Sequence, residues 1–176
     1  MIVWLIGMSG AGKTTVGKLL YRRLKPTTPN LVFLDGDDLR DVWGDSLGHT
    51  VEARRTNAQR ISQLCRMLDR QGIHAIATVL SIFPDWQKWN RENFSQYLQV
   101  YLDVPMDVLR ERDTKDLYAN AEAGRIKNVV GVDIAFPAPV GSDLIISGAE
   151  ATESAEKIAD RVLARLPTQL GSDART

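Results

Sequence analysis

The sequence predicts an α/β fold, a parallel sheet with helices on both faces stacked in three layers. Three observations predict it. Short apolar runs of strand length alternate with helical patterns along the chain, the arrangement that βαβ units produce. The first run, Ile2–Ile6, is apolar at every position, as a strand buried on both faces must be. That run enters a glycine-rich turn at Gly7, and a helical pattern follows at once.

The remaining elements follow in order. A helix is expected over Lys13–Leu24, with Val16, Leu19, Leu20 and Leu24 on its inner side; Pro26 and Pro29 end it. Leu31–Asp35 reads as the second strand. In Glu52–Gln71, Ile61, Leu64, Cys65 and Leu68 recur at i, i+3, i+4 and i+7, an amphipathic helix stopped by Gly72. Ile73–Leu80 is the third strand, followed by a short helix over 84–94 and a fourth strand, Gln99–Asp103. Pro105 suits the first position of another helix, which runs to Arg112. Residues 113–142 break the rhythm, with a single helical piece at Tyr118–Ala123. A segment that long inside a compact α/β domain suits a lid. Leu144–Ile146 reads as the last strand, and Thr152 as the cap of a final helix ending at Pro167. Residues 1–166 then form one domain, and 167–176 a disordered tail.

Composition excludes several classes. The chain has 176 residues with 22 basic and 22 acidic side chains, so no charge excess suits a nucleic-acid polymer or an anionic membrane surface. One cysteine, Cys65, excludes an intrachain disulfide and any CxxC site; its place on an apolar stripe marks it as core. No apolar run reaches the ~18 residues a membrane span needs. The apolar start lacks a preceding basic region, so it is not read as a signal peptide. A cytoplasmic protein is expected.

The chemistry is carried by Gly7-Met8-Ser9-Gly10-Ala11-Gly12-Lys13-Thr14, which fits G-x-x-x-x-G-K-[ST], the phosphate-binding P-loop. Its glycines let the backbone wrap a polyphosphate and aim N–H groups at it, and the following helix N-terminus adds positive potential. Lys13 is placed for the β- and γ-phosphates and the Thr14 hydroxyl for Mg²⁺. The three-layer fold is therefore that of a P-loop NTPase. Asp35 and Asp37 follow the second strand, on the edge where such sheets bind ligands; one suits Mg²⁺ or its waters and one suits a proton acceptor. Arg54, Asn57 and Arg60 lie near the start of the next helix and suit either an anionic substrate or a solvated helix face, whereas Arg66 and Arg70 read as a solvated face alone. Thr114-Lys115-Asp116 sets its aspartate one residue too early for a guanine-binding motif. A small-molecule kinase is the class that remains, with a non-catalytic nucleotide-binding module as the alternative from another class.

Together these residues resemble the adenylylsulfate kinase family from Ile2 to about Ser147. The likeness rests on the P-loop with Ser9, Leu34–Arg40, Leu47-Gly48, Arg54, Asn57 and Arg60, Gly72-Ile73, Asp103-Val104-Pro105 and Arg112-Asp113. It continues through Lys115, Leu117-Tyr118, Ala123-Gly124, Ile126-Lys127, Gly131-Val132-Asp133 and Ala138-Pro139. The resemblance implies a kinase that uses ATP and Mg²⁺ to phosphorylate the ribose 3′-hydroxyl of a nucleotide, acting as a cytoplasmic homodimer. It implies ATP contacts from Gly7, Ser9, Gly10, Ala11, Gly12, Lys13, Thr14, Thr15, Arg112 and Pro139. It implies acceptor contacts from Asp37, Arg40, His49, Arg54, Asn57, Leu80, Ser81, Lys127 and Val129. Thr14 and Asp35 would serve the metal, and Lys13, Asp35, Asp37 and Ser81 the chemistry, with Ser81 ranked as a substrate contact ahead of a phosphoserine.

The departures fall in the acceptor pocket. His49 and Val129 stand where the family places two phenylalanines that sandwich the acceptor's adenine. The F-I-S-P-Y-R segment is here Val79-Leu80-Ser81-Ile82-Phe83-Pro84, which keeps the serine and loses the arginine. The first reading of the acceptor is adenylylsulfate; the alternative is the cytidine diphosphoramidate of the branch that modifies capsular polysaccharide. Loss of a purine sandwich suits the latter.

Overall fold

A computed structural model describes residues 1–44 and 48–167. Leu47 and the tail at 168–176 lie outside the described residues. Strands β1 (Ile2–Ile6), β2 (Leu31–Asp35), β3 (His74–Val79), β4 (Tyr97–Asp103) and β5 (Leu144–Ser147) form one sheet in the order β2-β3-β1-β4-β5. Every neighbouring pair is parallel. The central strand, β1, pairs with β3 on one side and β4 on the other, with Ile2 opposite both Ala75 and Tyr97. This explains why each of its five residues is buried and apolar.

The helices are α1 (Lys13–Leu24), α2 (Gly36–Val42), α3 (Val51–Arg70), α4 (Pro84–Asn93), α5 (Met106–Glu111), α6 (Leu117–Glu122) and α7 (Ala155–Leu163). The two-residue period of the strands divides the core between the faces. Val3 and Leu5 of β1 pack with Val16 and Leu20 of α1 and Ile158 and Val162 of α7. Ile2, Trp4 and Ile6 face the other way, onto Ile61 and Cys65 of α3. Burial pushes the Cys65 thiol up to about 12, so it is an inert core residue. Gly17 sets how closely α1 approaches the sheet: a Cβ there would meet Thr78 Cγ2 at 2.6 Å and the Phe33 ring at 2.8 Å.

Several expectations change in detail. Strand β3 begins at His74 and ends at Val79. Pro105 is the N-cap of α5, and Met106 is its first residue. Ser154 caps α7 by accepting from Lys157 N, while Thr152 closes a 3-10 turn at Gly148–Thr152. Both Ser and Thr satisfy an N-cap, and only the turn geometry chooses between them. Helix α2 is too short for hydrophobic periodicity to announce and was not expected; Asp35 caps it by accepting from Asp37 N, and Asp37 and Asp38 fill its first turn.

Segment 113–142 is docked on the edge formed by the strand C-termini. The Asp113 carboxylate accepts from the Leu117 and Tyr118 amides and so starts α6. Tyr118, 2% exposed, then donates its hydroxyl to Ser9 O of the P-loop at 2.8 Å. Asp133 closes the following turn by accepting from Asn128 N and Val129 N. Gly131, at φ +94, lies so close to Met8 that a Cβ would stand 2.9 Å from its sulfur. Phe136 packs on Tyr101 of β4 with ring centroids 5.9 Å apart.

Candidate active site

The connections that follow β1, β2 and β3 share one edge of the sheet because the strands are parallel. Register pairs Asp35 with Thr78, so the end of β2 meets the end of β3 beside the P-loop. Gly10 and Gly12 take φ of +79° and +86°, left-handed backbone that admits glycine freely and turns the loop into the start of α1.

Three hydrogen bonds converge on Asp35. Its Oδ2 accepts from the hydroxyls of Thr14 at 2.7 Å and Thr78 at 2.9 Å, and its Oδ1 accepts from Asp37 N at 2.9 Å. Burial works to raise its pKa, but these hydrogen bonds and the Lys13 charge hold the carboxyl below its ordinary value. It is therefore an anion at neutral pH, fixed in place. The Thr14 hydroxyl and Asp35 carboxylate are hard oxygen donors that fit Mg²⁺, an ion that keeps few protein ligands and fills its shell with phosphate and water. Among the described residues no group of three or more His, Cys, Asp or Glu is placed to hold a metal.

Lys13 is half-buried and donates to Met8 O at 2.8 Å. Burial pushes its ammonium down to about 8, against the opposing pull of Asp37 and Asp35. Bound phosphates favour the charged form, so nucleotide binding raises this pKa again. At pH ~8.5 binding should therefore take up more than half a proton, at pH ~7 little, and the Kd for ATP should climb as pH rises through about 8. Calorimetry in two buffers of different ionisation heat measures the uptake; none at pH ~8.5 contradicts the assignment.

Asp37 is exposed at the first turn of α2 and is felt in two directions. Its charge raises the pKa of Lys13 on the P-loop side, and those of His49 and Arg54 on the other. Arg54 donates through Nε to His49 O at 2.9 Å and through Nη2 to Asn128 O at 2.7 Å, tying α3 to segment 113–142. Arg40 donates to Gly48 O at 2.7 Å. Desolvation, then the Arg40 and Arg54 charges, hold the His49 imidazole below its ordinary value, so it is neutral at pH 7. Asn57 is buried, and its Oδ1 has no hydrogen-bond partner among the described residues.

Lys13, Thr14, Asp35, Asp37, Arg40, His49 and Arg54 are thus brought together. Ser81 stands just beyond β3, and Leu80 joins an apolar cluster with Ile82, Phe83 and Val130. Thr15 is exposed in the first turn of α1, and Arg112 and Lys127 are exposed on and beside segment 113–142. Pro139 is buried. Val129 is 4% exposed and belongs to the main core with Leu109 and Tyr118. Arg60 lies over the Trp43 ring. Arg66 is not simply solvated: its guanidinium sits 5.5 Å from the centre of the Trp89 ring. Thr78 is a contributor that motif reading passes over, and Tyr118, noted only as part of the family likeness, braces the P-loop. The one signal for Thr78 was a hydroxyl in an otherwise apolar strand.

Known proteins resemble the chain along most of its length. A family model described as adenylylsulphate kinase matches residues 1–147. A cytidine diphosphoramidate kinase from Campylobacter jejuni is 38% identical over 157 residues, 89% of this chain and 91% of that protein. An adenylyl-sulfate kinase from Paraburkholderia xenovorans is 36% identical over 146 residues, 82% of each. The structure of Mycobacterium tuberculosis APS kinase CysC in complex with AMPPNP and APS matches with a TM-score of 0.82 at 29% identity, covering 93% of this chain and 95% of that one. With its P-loop, its Asp35 hub and a family match over most of its length, the chain belongs to the adenylylsulphate kinase family and is a nucleotide kinase.

Proposed function

We propose that the chain transfers the γ-phosphoryl group of ATP to the ribose 3′-hydroxyl of a cytidine diphosphate derivative, with cytidine diphosphoramidate as the acceptor to test first. The position of Asp37 carries the phosphotransfer reading: one carboxylate lies within electrostatic reach of both the P-loop lysine and the His49–Arg54 side. A group at that junction is suited to take the proton from an attacking hydroxyl. Lys13 holds the β- and γ-phosphates, and Arg112, at the C-terminal end of α5, reaches them from beside segment 113–142. Mg²⁺ held near Thr14 and Asp35 neutralises phosphate charge when bound. Arg40, Arg54 and Lys127 supply cationic donors for the acceptor's phosphates. Asn57 Oδ1 is a buried acceptor atom that a ribose hydroxyl or an exocyclic amine would satisfy.

What favours cytidine is the absence of a ring pair. Position 129 is a valine buried in the core, and position 49 is an exposed imidazole, so a purine finds no sandwich there. The Campylobacter jejuni relative supports the same reading. The test is incubation with ATP, Mg²⁺ and each acceptor. We expect ADP release with cytidine diphosphoramidate and a product whose new phosphate couples to H3′ in phosphorus NMR. ADP release without a 3′-phosphorylated product contradicts the site of transfer, and no turnover with either acceptor contradicts the kinase mechanism.

A further inference from the structure

Ser81, two residues beyond β3, has φ +53, the left-handed region that a side chain enters only at an energetic cost. Two buried side chains hold it there. Trp4, 1% exposed in the central strand, donates its indole N–H to Ser81 Oγ at 3.2 Å. Gln87, 4% exposed on α4, donates its carboxamide nitrogen to Ser81 O at 2.8 Å. The packing of β1 onto α3 asks only for a large apolar residue at position 4. The indole N–H is the part of Trp4 that packing does not need, and Ser81 is what satisfies it.

We propose that Trp4 and Gln87 are positioning residues that fix Ser81 as a hydrogen-bond donor to an anionic oxygen on the acceptor nucleotide. The inference rests on the reading of Ser81 as an acceptor contact. A hydroxyl has one proton to donate and two lone pairs. Trp4 engages a lone pair, and Gln87 fixes the backbone that carries the side chain. The Ser81 proton is then left to be donated, and a phosphate oxygen is the partner it fits. The same arrangement suits Ser81 poorly as a nucleophile. Its oxygen already accepts from an N–H, and among the described residues no carboxylate or imidazole is hydrogen-bonded to it to take the proton.

The experiment is a set of double-mutant cycles read on KM, with cytidine diphosphoramidate and adenylylsulfate as acceptors. Ser81→Ala should raise the acceptor KM about tenfold and leave the KM for ATP unchanged, the loss expected for one charge-assisted hydrogen bond. Trp4→Phe keeps an aromatic ring and removes the N–H; it should raise the acceptor KM several-fold and add nothing in the Ser81→Ala background. Gln87→Met, close in volume, should behave the same way and stands in if Trp4→Phe is poorly folded. Positioning is overturned if both variants leave the acceptor KM at the wild-type value while Ser81→Ala raises it, or if their effects add fully to Ser81→Ala. Phosphate found on Ser81 after incubation with ATP alone overturns it equally. If Ser81→Ala itself changes nothing, Ser81 is not an acceptor contact and the inference falls, while the kinase assignment stands on turnover.

Discussion

Lys13→Ala is expected to lower kcat by about a thousandfold or more while the protein stays folded. The reason lies in where the charge is held. Among the described residues the Lys13 ammonium donates to Met8 O of its own loop, and burial already works against its charge. Removing it costs the core little, because the apolar cluster beneath the P-loop is built from Leu5, Ala11, Val16 and Leu102. On the proposed function, what is lost is a fixed positive charge at the transferring phosphoryl group, where preorganised electrostatic stabilisation is worth most. The measurement is steady-state turnover at saturating ATP beside a thermal melt. Turnover within a few-fold of wild type in a folded variant contradicts the P-loop mechanism.

Asp37→Asn is expected to lower kcat by about 10²–10⁴-fold and to move the KM for ATP by less than about threefold. The substitution keeps the side chain's shape. It also keeps the α2 cap, because Asp35 accepts from the backbone N–H of residue 37 and not from its side chain. It removes the carboxylate that faces the P-loop lysine and the His49–Arg54 side together. A variant with unchanged kcat and weakened ATP affinity would make Asp37 a nucleotide-binding residue and leave the base to be found elsewhere. Asp35→Asn is a poorer test: the Asp35 carboxylate accepts three hydrogen bonds, so replacing an oxygen with an NH₂ group disturbs Thr14, Thr78 and the start of α2 at once.

How much was legible follows from how local each feature is. The P-loop is read from eight consecutive residues, because backbone conformation, lysine and hydroxyl act within one turn. The strand apolarity and the α3 stripe are equally local, whereas α2 and its Asp35 cap went unread. The Thr78–Asp35 bond depends on the register of β2 against β3 and is invisible until the sheet is assembled. The Trp4–Ser81 bond joins residues 77 positions apart for the same reason. Arg66 read as solvated because a helical wheel does not show that α4 brings Trp89 beside it. Val129 aligned with a pocket position by motif, yet the turn closed by Asp133 buries it against α5 and α6.

The acceptor is identified by the ratio of kcat/KM for cytidine diphosphoramidate to that for adenylylsulfate, measured at saturating ATP and Mg²⁺. Base–aromatic stacking is worth ~1–3 kcal/mol per base, so a pocket without a ring pair should cost adenine roughly tenfold or more. A pyrimidine draws less of its binding from a sandwich and more from hydrogen bonds at its edge. Cytidine diphosphoramidate is expected to be used at least as well as adenylylsulfate. An adenylylsulfate preference of several orders of magnitude would contradict it and make the chain an adenylylsulfate kinase despite His49 and Val129.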